Sequence, residues 1–351
     1  MRQISCIISL ILAVIVSLWV YSCRKSSPPP TSQPAAAPSP STAPASMPAT
    51  SPATSPASAP AREVDPRGYE GLIGQGNAAL AAKDYPAAAG AFAKAAHLRP
   101  DEVLPLEGLA NALVSDRYYE QALEAYQKIV ALKPADPQAR FNLAVALARA
   151  RQYQRAEDIY GQLLAENPDY HTARYNLASL YQAQGKLAQA LDAWQEVVQR
   201  CPQLSSARIS LGEVLLDLGR NAQAVDVFTQ AVKLQENDPK IWLDLAVAAQ
   251  RAGSLGLSAS AAVRAIQLAP DDALAWRLKG EILLELHRAR GDRLFLVQAV
   301  DAWRQSLRLD GAQQDLRQLL DTYGPLADNI KAAMDPNFIG PPPPLRDLPQ
   351  R

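Results

Sequence analysis

Residues 137–170 read PQARFNLAVALARARQYQRAEDIYGQLLAENPDY, and residues 171–204 read HTARYNLASLYQAQGKLAQALDAWQEVVQRCPQL. The two segments align without a gap over 34 residues, with Arg140, Asn142, Leu143 and Ala144 in one matched by Arg174, Asn176, Leu177 and Ala178 in the other. The same beat runs outward in both directions. Pro100, Pro134, Pro168 and Pro202 stand 34 residues apart, Glu236 takes the next position and Pro270 the one after. A period of this length built from helix-forming residues signals stacked helical hairpins. Starts at Tyr69, Val103, Pro137, His171, Ser205, Pro239 and Ala273 put only Gly or Ala at the eighth slot: Gly76, Ala110, Ala144, Ala178, Gly212, Ala246 and Gly280.

Two antiparallel helices per repeat follow. Small residues at slot 20 (Ala88, Ala122, Ala156, Ala190, Ala224, Ser258) allow close approach of the two backbones. Slot 24 carries Phe92, Tyr126, Tyr160, Trp194 and Phe228, then Ala262, with Trp303 displaced by an insertion. Aromatics make up only 6% of the chain, so their concentration at one slot marks a core position. Proline at slot 32 disfavours helix in the residue before it and stops the second helix. Asp136-Pro137 and Asp238-Pro239 read as N-cap and first helical residue, and Asp101, Asp169 and Asp271 offer similar caps. The seventh repeat reaches Ala299 seven residues late. One extra turn in each helix, or a longer loop, accommodates this. Leu316, Leu319, Leu320 and Tyr323 form one apolar face of a terminal capping helix, which Gly324-Pro325 is expected to end. Leu326, Ile330 and Met334 suggest a further short helix.

At these residues the chain resembles the tetratricopeptide repeat family. Leu-Ala at slots 7 and 8, Tyr181 at slot 11, the slot-20 alanines, the slot-24 aromatics and the slot-32 prolines match it. Trp242 and Trp276 match its bulky slot 4, from which Arg140, Arg174 and Arg208 depart. The resemblance covers residues 69–311. It implies an all-α solenoid of seven repeats (69–102, 103–136, 137–170, 171–204, 205–238, 239–272 and 273–311), capped by residues 312–335. It further implies a right-handed superhelix whose concave groove binds other proteins.

The same resemblance places helix-A slots 2, 5, 6, 9, 12 and 13 on the groove. A subclass of the family clamps a partner's terminal carboxylate there with cations, and those cations are missing here. The Asn positions, Asn111 and Asn142, fit, and what the groove offers instead of the cations is Phe141 and Tyr175 at slot 5, with Asn142 and Asn176 beside them. Aromatic faces beside amide donors suit an extended peptide, and equivalent slots of adjacent repeats are expected to form one patch. The other reading packs both aromatics within the array. The later repeats offer Glu213, Asp217, Glu281 and Glu285 with Lys240, Arg251 and Arg277, a mixed surface.

The ends differ from the array. Ile4 to Tyr21 is almost wholly apolar, as a secretion signal or membrane anchor is. Val20-Tyr21-Ser22-Cys23 resembles a bacterial lipobox, which implies lipidation at Cys23. An uncleaved anchor and simple secretion are the other readings of residues 1–23. Residues 24–66 are dominated by Pro, Ala, Ser and Thr, cannot build a core and read as a spacer or glycosylated stalk. The tail 336–351, with Pro341 to Pro344, is expected to be unstructured. Together these imply a scaffold tethered in a bacterial envelope on the extracytoplasmic side, with protein or peptide partners. The alternatives are an accessory subunit that recruits substrates and an enzyme whose site is unrecognised.

Thirty-five basic and 35 acidic residues give zero net charge and no general reason to expect nucleic acid. His97, His171 and His287 lie in different repeats, without metal-ligand spacing. Gly71, Gly74 and Gly76 match no nucleotide-binding fingerprint. No catalytic set, cofactor or small-molecule substrate is expected. Cys201 is the sole cysteine of the repeat region, which excludes a disulfide within it.

Overall fold

The computed structural model describes residues 66–334. Cys23, the apolar stretch before it, most of the spacer and the Pro-rich tail lie outside the described residues. Among the described residues every element is a helix, and these divide between two compact units that meet in sequence at Asn167 and Pro168.

The first unit holds three hairpins: α1 (Pro66–Ala81) with α2 (Tyr85–Leu98), α3 (Val103–Ser115) with α4 (Tyr119–Leu132), and α5 (Pro137–Arg149) with α6 (Tyr153–Glu166). The second holds four hairpins and a single helix: α7 (His171–Ala183) and α8 (Leu187–Arg200), α9 (Ser205–Asp217) and α10 (Asn221–Leu234), α11 (Pro239–Arg251) and α12 (Leu255–Leu268), α13 (Ala273–Arg290) and α14 (Arg293–Leu309), then α15 (Gln314–Ala333).

The slot-24 aromatics are core residues. Phe92, Tyr160, Trp194, Phe228 and Trp303 are all at most 1% exposed. The rings of Phe92, Phe228 and Trp303 lie against slot 8 of the same repeat, which explains glycine there. A Cβ on Gly212 would stand 2.6 Å from the Phe228 ring, and one on Gly280 2.2 Å from Nε1 of Trp303. Both rings are fully buried. Gly280→Ala is therefore expected to destabilise by ~1–3 kcal/mol through overpacking, measured by urea unfolding. An unchanged midpoint would show that Trp303 can tilt away. Where slot 20 holds Ser258 instead of Ala, its hydroxyl donates to the Ala246 carbonyl at 2.7 Å, so the buried polar group is satisfied.

Slot 4 departs from the family in residue type but, at Trp242, Trp276, Arg174 and Arg208, not in chemistry, whereas Arg140 pairs with Glu166. Trp242 Nε1 donates to the Glu236 carbonyl and Trp276 Nε1 to the Pro270 carbonyl, both at 2.8 Å. Arg174 reaches the Pro168 carbonyl at 2.6 Å, and Arg208 reaches the Pro202 carbonyl. Each side chain donates to a carbonyl six residues back, in the inter-repeat turn, and a guanidinium does this as well as an indole. Arg317 donates to the Gly311 carbonyl at 2.7 Å with the same six-residue reach. That bond makes α15 similar to a further first helix of the repeat type.

Three expectations need correcting or completing. The caps at Asp136 and Asp238 form, with side chains accepting from Gln138 N and Lys240 N. Those at Asp101, Asp169 and Asp271 do not. The cap residue is slot 34, occupied by Glu102, Tyr170 and Asp272, and a residue one earlier lies too far back to reach the second helical amide. Gly324-Pro325 does not end α15, which continues through Pro325 to Ala333. A proline inside a helix costs about 3 kcal/mol. Burial of Leu316, Tyr323, Ala327 and Ile330 along one stripe that spans the proline more than offsets it. The insertion in the seventh repeat lengthens both helices, to 18 residues in α13 and 17 in α14, against 13 and 14 in α11 and α12. Gly291 ends α13 in the left-handed region at φ 72°, and Asp292 caps α14.

Candidate peptide-binding site

In the first unit Asn111 projects from α3 and is exposed. The slot-24 ring of its own repeat, Tyr126, crosses beneath it and donates its hydroxyl to Asn111 Oδ1 at 3.0 Å. Burial pushes the Tyr126 phenol up to about 12, so that hydroxyl remains a donor across the physiological range. With its oxygen engaged, the Asn111 amide presents its NH2 outward. Asn142, one repeat on, is held the same way: its Oδ1 accepts from Gln138 Nε2 at 2.9 Å. Phe141 is half-buried, its ring tilted 58° against Tyr160 at 6.0 Å between centroids. Asn77 on α1 is exposed at the same slot as Asn111, 34 residues earlier. It extends the amide series and was legible from that spacing. Leu104, 56% exposed, supplies apolar surface at slot 2 of α3.

In the second unit Tyr175 is not an open-wall residue. It is 5% exposed, and its ring meets Trp194 edge to face at 4.8 Å. Phe141 and Tyr175 share a slot, yet the larger indole of the fourth repeat draws Tyr175 into the core. Asn176 beside it is half-buried. Trp194 Nε1 donates to Gln182 Oε1 at 3.0 Å, and Gln182 Nε2 in turn donates to Glu213 at 3.0 Å. Gln250 similarly holds Glu285 at 2.8 Å. Asp244 lies half-buried in this neighbourhood, pushed up to about 7 by burial first and then by the charges of Glu213 and Asp238, against the opposing effect of Lys240. Arg277 is paired with Glu281 at 2.9 Å and Asp315 at 2.6 Å. No group of side chains able to hold a metal ion occurs among the described residues.

Tetratricopeptide repeat family models match residues 57–103, 108–170, 169–237 and 209–273, more than half of the chain. The chain belongs to the tetratricopeptide repeat family. No curated protein matches it in sequence. Among solved structures, a tetratricopeptide repeat protein from Parabacteroides merdae aligns with a TM-score of 0.51 at 16% identity, over 74% of this chain and 99% of that one. YrrB, described as a repeat protein with an unusual peptide-binding site, aligns at 0.49 and 18% identity, over 57% of this chain and 99% of its own. PilF of Pseudomonas aeruginosa aligns at 0.48 and 20% identity, over 62% and 95%. At these identities the similarity establishes the fold alone.

Proposed function

We propose that the protein is a non-catalytic adaptor that captures an extended segment of a partner protein on the first unit, and that its N-terminal region tethers it to a membrane of a bacterial envelope. Membership of a family whose repeats mediate protein–protein interaction supports the first part. The observation that carries it is the pair of oriented amides. Asn111 and Asn142 each have an oxygen engaged by a neighbouring side chain, which leaves amide hydrogens for a peptide's carbonyls. Phe141 and Leu104 add apolar contact, and an extended backbone needs both along its length. The tether rests on the apolar run Ile4–Tyr21 and on Cys23 as its acylation site. No helix among the described residues is long and apolar enough to cross a membrane.

Panning a displayed peptide library against the purified protein tests the first part. Enriched peptides should lose affinity by roughly thirtyfold when Asn111→Ala and Phe141→Ala are combined, as truncation of a binding hot spot does, while the melting curve shifts little. Peptides that bind the double variant unchanged would place the binding surface elsewhere. For the tether, Cys23→Ser should block processing or release the protein from membranes. Unchanged size and attachment would mean that the apolar segment itself is the anchor.

A further inference from the structure

The turn between the two helices of each repeat passes through one residue in the left-handed region. In the second unit that residue is Gly185, Gly219, Gly253 or Gly291; in the first it is Lys83, Arg117 or Arg151, at φ 61°, 66° and 60°. The geometry is that of a helix end closed by a six-to-one bond, seen at Asp84 N to Ala79 O (2.9 Å), Tyr118 N to Leu113 O (2.8 Å) and Gln152 N to Leu147 O (2.9 Å). Glycine enters this conformation freely, whereas a residue with a Cβ is strained. The first unit thus carries the strain at all three turns, each time under a cation.

All three side chains are exposed, and none is in an ion pair with a carboxylate among the described residues. Each is followed two residues later by a half-exposed tyrosine: Tyr85, Tyr119 and Tyr153. The second and third turns lie side by side, since Gln152 of the third donates to Glu120 beside the second at 3.2 Å, and the first turn has the same geometry one repeat earlier. We infer that this edge of the first unit, a row of cation and tyrosine pairs repeated once per hairpin, is a second interaction surface and receives an acidic segment of a partner protein. It is separate from the amide-lined wall and independent of the peptide reading made there.

The neighbouring charges favour a protein over a polyphosphate or a lipid surface. Arg155, bonded to Gln152 beside the third turn, adds to the row, but Asp84, Asp116 and Glu120 are interspersed in it. Asp84 is engaged with Ala87 N, and Glu120 with Gln152. A continuous phosphate backbone or headgroup layer would meet these carboxylates, whereas discrete acidic side chains can sit between them. Tyrosine and arginine, which the second and third turns combine, are residue types enriched in protein interfaces.

The test exploits the strain. Lys83→Gly, Arg117→Gly and Arg151→Gly combined remove three charges and relieve three strained turns, so the full-length variant should melt no lower than the wild type. Binding of a fluorescein-labelled glutamate-rich peptide to the full chain in detergent should be salt-sensitive. It should weaken roughly tenfold in the variant, as the loss of three exposed ion pairs implies. Phosphatidylserine vesicles and a single-stranded oligonucleotide serve as the competing anions. The inference is overturned if the variant binds the peptide as the wild type does. It is equally overturned if the wild type does not bind the peptide at low salt, whether or not the vesicles or the oligonucleotide bind.

Discussion

Trp194→Ala should lower the unfolding free energy of the second unit by about 3–5 kcal/mol, the cost of a large-to-small change at a closed site. The indole is 1% exposed, and three things depend on it. It fills the space beside Ala178 and Leu211 in the apolar cluster of this unit. It meets the Tyr175 ring edge to face at 4.8 Å. It holds Gln182, which in turn holds Glu213. Truncation therefore leaves a cavity, a loosened tyrosine and an amide without its donor. Trp194→Phe should recover much of the packing but not the bond to Gln182, and should fall between the two. Urea melts followed by far-ultraviolet circular dichroism read the effect. A loss under ~1 kcal/mol for the alanine variant would mean that neighbouring side chains collapse into the space.

The pH response of the second unit should be governed in large part by Asp244. Burial is the main reason its carboxyl is pushed from the ordinary 3.8 up to about 7, and the charges of Glu213 and Asp238 add to it. In the unfolded chain the group ionises near its ordinary value. Its contribution to stability is therefore fully present below that value and is lost as pH rises through about 7. Asp244→Asn removes the dependence while keeping the shape of the side chain. At pH 8 the variant should be more stable than the wild type by roughly 1–3 kcal/mol, and at pH 4 nearly equal to it. Other carboxylates, such as Asp315 and Asp328, are held below their ordinary values by Arg277 and Arg304 and act in the opposite direction. They are common to both proteins and cancel in the difference. Parallel stability curves for wild type and variant across pH 5–8 would show that Asp244 is already solvated or paired in solution.

The hairpin fold was legible because a repeat stacks on its neighbours through the same few slots, so the demand for a small residue opposite an aromatic recurs at a fixed spacing. Gly212 beneath Phe228 and Gly280 beneath Trp303 are that demand made visible. The lengthening of α13 and α14 was one of two readings open in the sequence, since an insertion of seven residues is about two helical turns and leaves every face in place, but a longer loop would also absorb it. The left-handed turn was also written in the chain, as a glycine recurring at 185, 219 and 253, but lysine and arginine at the equivalent positions concealed it in the first unit. What only the tertiary structure decided is where one slot serves two purposes. Arginine and tryptophan at slot 4 look unlike until both are seen donating to the same turn carbonyl. Pro325 reads as a stop until the apolar stripe on both sides of it is seen to be buried. Phe141 and Tyr175 are interchangeable in the pattern, but one ring stays half-open beside Tyr160 while the other is drawn under Trp194. Periodicity records which face of a helix turns inward. How deep a boundary residue sinks depends on the volume of the side chain opposite, and that partner lies on another helix.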